Sequence, residues 1–506
     1  MLAQPELKQD PERAKRVYFA LGEISRDELS EVERSVAAFN SALDLDHRFV
    51  EAFSAIESLL SAQKQWKLLE ENYVRMIQRI PKTDDTHVVR MALWRALGDL
   101  YLRVIKNADS ALMAYQVAAA GLPGDAAVQE AYAELAAQKP GQEDKAIAAY
   151  RRALPNSSRP AKVCSALAEL GARTKDYDLA FLAAQSVQGF FGEAGTGERE
   201  ILTKLTPYAK KREIAQHPLN DRLWKMHLLH PKVRGPIGDL MGILFEQVGH
   251  HLVVPLSQYQ INPKKHRIDV PTAQEYQIHH YRYVARLLGM EAVELYSPFL
   301  VATRERLNKK SNDPAPEPLV GIEICQTNPV CLKIGGKFFS ETGQKEVHYL
   351  LGRTLALVRP ELALSQRVAP ARLEALFQTA LSLSIPNFRF TVDRRAIDIE
   401  RALLERNLAQ PARVALDRAS REYLRAGPHT SVNDYLQGAE LTAMRTGLLV
   451  SGEVEPVKKM ILGEAGAAYR VDSNTKLRDL LVFAVSEDLS ALRSAVGSKV
   501  EVQLRR

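Results

Sequence analysis

The fold is decided by WRALGDLYLRVIKNADSALMAYQVAAAGLP, residues 94–123. Its small residues, Gly98, Ala111 and Ala118, let two antiparallel helices approach closely. Its large ones, Trp94, Leu97, Tyr101 and Tyr115, fill the holes between them, and Pro123 closes the run. The same phase recurs on both sides. Phe39 and Ala42 hold the second-helix positions of an earlier unit, and Phe53, Ile56, Leu60, Leu69, Tyr73, Met76 and Pro81 mark the next. Tyr73 follows Phe39 by 34 residues. Ala146, Tyr150 and Ala153 come later, then Leu167, Ala180 and Ala184. About five units fit between residues 10 and 188.

The order Trp94-x2-Leu97-Gly98-x2-Tyr101, then Ala111-x3-Tyr115, Ala118 and Pro123, resembles the tetratricopeptide (TPR) pattern almost letter for letter, with Tyr in place of Phe. The resemblance implies an α-solenoid whose concave face docks proteins or peptides. The Lys, Asn and Arg pattern of a carboxylate clamp does not stand out, which argues against a receptor for chaperone tails.

At 506 residues the chain exceeds one ordinary core. Hydrophobic residues at 46% and charged residues at 25% give a soluble globular balance. The net charge of +7 and pI near 9.1 are a mild excess over this length. The basic clusters at 210–212, 264–267 and 304–310 are short and lack interleaved aromatics, so they read as solvated surface and not as a nucleic-acid groove. Three cysteines, Cys164, Cys325 and Cys331, suggest a reducing, cytoplasmic compartment without a disulfide framework. The spacing in ICQTNPVC fits no common zinc knuckle. The N-terminus has no apolar leader and no apolar run is long enough for a membrane span. Repeat-like sequence starts almost at residue 1, which suits a longer natural protein with an upstream portion.

The repeat phase breaks at GFFGEAGTGERE, and residues 189–215 read as a linker. A second domain is expected over 216–506, of α+β type and mainly α. AVELYSPFLVA, PLVGIEICQ and PVCLKIGGKFF read as strands. Helical stretches include KEVHYLLGRTLALV, SVNDYLQGAELTAMRTGLLVSG and, as one run, TKLRDLLVFAVSEDLSALRSAV.

The strand pair, the helix after it and the later GAELTAMR helix resemble the HExxH…E metallopeptidases of gluzincin type, as in the HtpX-like peptidases, here without membrane spans. The pairing with TPR repeats also resembles a group of bacterial, particularly myxobacterial, proteins. The resemblance implies zinc held by two histidines at i and i+4 and by a Glu on the later helix, with a Glu beside the first His activating water. Glu440 falls at the third-ligand position, but Gly352, Arg353 and Ala356 fall at His, Glu and His. Gly and Ala have no donor atom for zinc, and a guanidinium is no general base. The former site is therefore degenerate, with no metal and no cofactor, and an Arg353–Glu440 ion pair is expected to fill it. His348 and Met444 are expected to line the remaining pocket. His227 and His230 have metal-compatible i,i+3 spacing, although a helix end stopped by Pro231 explains His230 as well. The adjacent pairs His250-His251 and His279-His280 are expected to point apart. No G-x-S-x-G elbow, P-loop or dinucleotide fingerprint occurs, and GTGERE at 195–200 reads as loop. The leading expectation is a non-enzymatic scaffold or adaptor built from a TPR solenoid and a pseudo-peptidase module. The alternative is an active metallopeptidase with an atypical metal site.

Overall fold

Helix pairs follow the repeat phase in a computed structural model that describes residues 10–192, 194–211, 216–290, 293–309, 321–341, 343–426, 430–464 and 470–502. The chain forms two compact units, the first ending at Val163 and the second beginning at Cys164.

The first unit is four helix hairpins: α1 (Pro11–Asp27) with α2 (Val32–Leu45), α3 (Val50–Ala62) with α4 (Trp66–Arg79), α5 (Asp84–Asp99) with α6 (Ala108–Gly121), and α7 (Ala126–Ala137) with α8 (Glu143–Ala153). Connections of a few residues force consecutive helices to run antiparallel. Gly98 shows why a small residue stands there: a Cβ on it would lie 3.0–3.2 Å from the Tyr115 ring. Ala111 and Ala118 are fully buried in the same seam and Pro123 lies in the exposed turn after α6. Trp94 and Tyr101 pack half-buried against the core around Leu97. A polar device repeats as well. The Tyr115 hydroxyl donates to Asp99 at 3.0 Å, and Tyr73 donates to Glu57, so each aromatic is tied to the partner helix of its own hairpin. Successive aromatics Phe39, Tyr73, Tyr115 and Tyr150 are not evenly spaced. The extra residues between Tyr73 and Tyr115 go into α5, which runs on as a π-helical turn over Leu100–Ile105 and ends at Lys106 with φ +61°. Such a turn absorbs inserted residues without breaking the helix.

The second unit contains α9 (Pro160–Thr174, begun in the last residues of the first unit), α10 (Tyr177–Ser186), α11 (Thr196–Lys211), α12 (Asp221–Leu223), α13 (Pro236–Val248), α14 (Tyr276–Leu287), β1 (Glu294–Tyr296), α15 (Pro298–Lys309), β2 (Ile322–Cys325), β3 (Cys331–Ile334) and α16 (Gly336–Phe339). After these come α17 (Gln344–Ala356), α18 (Pro360–Arg367), α19 (Pro370–Ser382), α20 (Arg394–Asn407), α21 (Gln410–Arg425), α22 (Val432–Ser451), α23 (Val454–Leu462), α24 (Ser473–Ala484) and α25 (Glu487–Val496). The sheet order is β1-β3-β2, with β1 parallel and β2 antiparallel to β3. The sequence pattern sets the end of the repeats at 188. The boundary between the compact units lies earlier because α10, despite Ala180 and Ala184, packs on α11, α23 and α24.

The chain is mainly α, as the periodicity implies, but several local expectations need correction. In AVELYSPFLVA, whose Ala292 lies outside the described residues, the strand covers Glu294–Tyr296: Pro298 opens α15, and the Ser297 hydroxyl caps it by accepting from the Leu300 N–H at 3.0 Å. PVCLKIGGKFF stops being strand at Ile334, where Gly335 N-caps the short α16. The run 475–496 is two helices, because Ser486 accepts from the Leu489 N–H and starts α25. GTGERE is the first turn of α11, not a loop, so part of the expected linker is helical. Residues 193 and 212–215 of that linker, and 318–320 of the expected second strand, lie outside the described residues.

The second core is built on α22. A Ser431–Asp434 capping box starts it and Gly452 at φ +70° ends it. Antiparallel to it lies α17, as the pairing of Arg353 with Glu440 and of Tyr349 with Gly447 requires. The two helices come closest at two glycines. A Cβ on Gly352 would lie 3.0 Å from a Val450 methyl and 3.2 Å from the Thr446 carbonyl oxygen; one on Gly447 would lie 2.5 Å from the Tyr349 ring.

Candidate functional site

Arg353 projects from the α17–α22 seam toward Glu440, and its Nη2 donates to Glu440 Oε1 at 2.8 Å. The expected ion pair is formed, and it belongs to a larger network that sequence reading missed. Lys476 of α24 reaches Glu440 Oε1 at 3.1 Å and Glu464 Oε2 at 2.7 Å, while Arg353 Nη1 lies 3.7 Å from Glu464 Oε1. The Lys476 side chain is only 2% exposed, so its charge has to be met inside the protein. Burial alone would raise the Glu440 pKa; Arg353 and Lys476 outweigh it and hold the carboxyl below its ordinary value. Nothing in the spacing of TKLRDLL marks Lys476 as a partner, and Glu464 sits just past the end of α23.

The network borders a cleft of about 340 Å³ lined by Ile322, Ile324 and Gln326 of the β2 region together with Arg353, Glu440 and Arg470. Two residues expected in the pocket lie elsewhere. Met444 is fully buried beneath Tyr349, whose hydroxyl contacts its sulfur at 2.7 Å. His348 is 3% exposed and turns toward α14, its Nε2 lying 3.0 Å from His280 Nδ1. One turn before Gly352, it sits between α22 and α14, with its ring reaching His280 of α14. Burial first, then His280 and Lys345, press its pKa down to about 3. Gly352 and Ala356 are buried against neighbouring helices and offer no donor atom.

The remaining histidines have separate partners. His227 Nδ1 meets Asp488 at 2.8 Å, whereas His230 Nε2 faces Asp479 at 3.2 Å and its Nδ1 accepts from the Lys232 N–H. Their i,i+3 spacing thus diverges to two carboxylates. Asp479 also takes a bidentate fork from Arg445. His250 and His251 do not point apart: their rings lie against each other, tilted by 45° with centroids 3.9 Å apart, because Gly249–His251 is a 3-10 turn and not α-helix. Among the described residues no group of three or more His, Cys, Asp or Glu side chains could hold a metal ion. Nor is any described helix long and apolar enough to cross a membrane.

No family model matches the chain, and no curated protein matches it. Among solved structures it is similar to YrrB, a TPR protein with an unusual peptide-binding site. The identity is 16%, over 38% of this chain and 90% of that one, with a TM-score of 0.25. It is also similar to TTC0263, a thermophilic TPR protein of Thermus thermophilus. Here the identity is 19%, over 38% and 96% of the two chains, with a TM-score of 0.19. The packing of Gly98 on Tyr115 and its neighbours, rather than these likenesses, establishes the helix-pair array.

Proposed function

We propose that the chain is a non-enzymatic protein-interaction scaffold. Its repeats, over 10–188, offer a concave face to a protein or peptide partner, and its 216–506 region is a peptidase-like module that holds but does not cut. The resemblance to bacterial TPR proteins and the sparse cysteines suit a bacterial cytoplasm. One observation supports the reading of the module: Glu440, which the sequence resemblance matches to a third zinc ligand, is instead held in a buried network with Arg353, Lys476 and Glu464. Two cations already neutralise the carboxylates, so a divalent ion would have to displace them and would meet Arg353 at close range.

The test is elemental analysis of the full chain after equilibration with zinc and dialysis, alongside a peptide-hydrolysis assay. The expected result is far less than one equivalent of zinc and no turnover. Stoichiometric zinc that disappears in Glu440→Ala would instead establish an atypical metallopeptidase. Docking by the repeats is tested with a photo-crosslinking residue at exposed Arg95 on α5 of the full chain. A partner that links there and competes with unlabelled chain supports the scaffold, and the lack of any competable linkage at that position refutes docking on the repeats.

A further inference from the structure

ICQTNPVC is the motif that neither the repeats nor the ion network explains. Cys325 ends β2 and Cys331 begins β3, and the two are direct partners in the antiparallel ladder. Residues directly opposite in such a ladder have Cα atoms about 4.5–5.5 Å apart, within the roughly 4.4–6.8 Å that a disulfide spans. Direct partners also project from the same face of the sheet. Here the two thiols hydrogen-bond each other, and the Thr327 hydroxyl donates to Cys331 Sγ at 3.4 Å.

We propose that Cys325 and Cys331 form a reversible disulfide that fastens the β2–β3 hairpin beside the Arg353–Glu440 cleft. The oxidant is a low-molecular-weight disulfide. Cys331 is the attacking sulfur, because the hydrogen bond from Cys325, against the effect of burial, makes it the more acidic thiol. Its thiolate attacks one sulfur of the small disulfide and releases one small thiolate, giving a mixed disulfide on Cys331. Cys325 then loses its proton, and its sulfur attacks Cys331 Sγ and expels the second small thiolate. Two protein thiols are oxidised and one small disulfide is reduced to two thiols. Both cysteines are almost completely buried, at 0% and 3% exposure, so the reaction runs through local opening of the hairpin. β2 is a four-residue strand at the edge of a three-stranded sheet, which suits such opening.

The bond would fix the wall between two cavities. Gln326 lines the Arg353–Glu440 cleft, and its side chain donates to the Gln366 carbonyl at 2.6 Å. Asn328, Pro329 and Val330, on the other limb of the same turn, line a second cavity of about 730 Å³. Oxidation therefore acts on the wall between these two cavities without touching the ion network.

The experiment equilibrates the native full chain in glutathione buffers from fully reduced to fully oxidised, quenches in acid, unfolds, alkylates and counts thiols by mass. Expected are three alkylated cysteines in reduced buffer and one, Cys164, in oxidised buffer. A linked peptide joining residues 325 and 331 and slower amide exchange in β2 and β3 accompany the change. Cys164→Ala leaves the hairpin intact and should pass from two free thiols to none. Three free thiols after full equilibration, a persistent glutathione adduct without closure, or a bridge to Cys164 would each overturn the proposal.

Discussion

Removing the Glu440 carboxylate should destabilise the second unit more than removing it together with Arg353. In Glu440→Ala, Arg353 and Lys476 are left to share Glu464, at 3.7 and 2.7 Å, with Lys476 nearly sealed from water. Breaking a buried ion pair by deleting one partner costs about 3–5 kcal/mol, because the surviving charge stays buried. In Arg353→Met/Glu440→Ala one cation and one anion leave together, and Lys476 with Glu464 remains a balanced pair. That double variant should lose less than Glu440→Ala alone, with a coupling energy of about 1–3 kcal/mol between positions 353 and 440. The assay is urea unfolding followed by Trp224, which is fully buried in the second unit, in a Trp66→Phe/Trp94→Phe background. With a slope of about 2–3 kcal/mol/M, the single variant should move the midpoint down by roughly 1–2 M. The sign with pH also follows. The Glu440 carboxyl titrates below its ordinary value of 4.5 in the folded chain, so its contribution is complete above that value and is lost as the pH falls through the folded pKa. A Glu440→Ala midpoint within about 0.5 kcal/mol of the parent, or strictly additive single variants, would refute the reasoning.

Gly447→Ala should destabilise the same unit by about 1–2 kcal/mol. The helix-propensity gain of about 1 kcal/mol is smaller than the cost of placing a methyl 2.5 Å from the buried Tyr349 ring, and urea midpoints decide it. His348 is held neutral with its pKa near 3, so stability contributed by its burial is complete above about 6.5 and falls toward about 3, by up to roughly 1.4 kcal/mol per pH unit. Midpoints measured across that range should flatten in His348→Gln. Asp178 is fully buried, accepts from Arg493 at 3.0–3.2 Å and from the Val500 N–H at 2.8 Å, and Asp178→Ala should cost about 3–5 kcal/mol. In that variant amide exchange should quicken around Val500 before it does in α22.

How much of this was legible in the sequence depends on the kind of constraint. Trp94, Gly98, Tyr115 and their equivalents were readable because close packing of two helices demands small and large residues at fixed spacing. Arg353 with Glu440 was readable only through a family frame that set the two positions opposite each other. Lys476 and Glu464 were not, since a buried Lys on an amphipathic helix looks like any surface Lys until its neighbours are known. His348 was misplaced because spacing along α17 gives it the face of Gly352 but does not show that α14 also reaches its ring, through His280. The strand predicted at 292–302 shrank because Pro298 and the Ser297 cap outweighed β-propensity in AVELYSPFLVA.

The close crossing of α17 and α22 also limits what protein engineers can do with this scaffold. Installing an imidazole at position 352 would bring its first carbon to 3.0 Å from a Val450 methyl and 3.2 Å from the Thr446 carbonyl oxygen, so a zinc ligand grafted there requires the facing helix to give way. Any metal site built on this seam must begin by making room on α22.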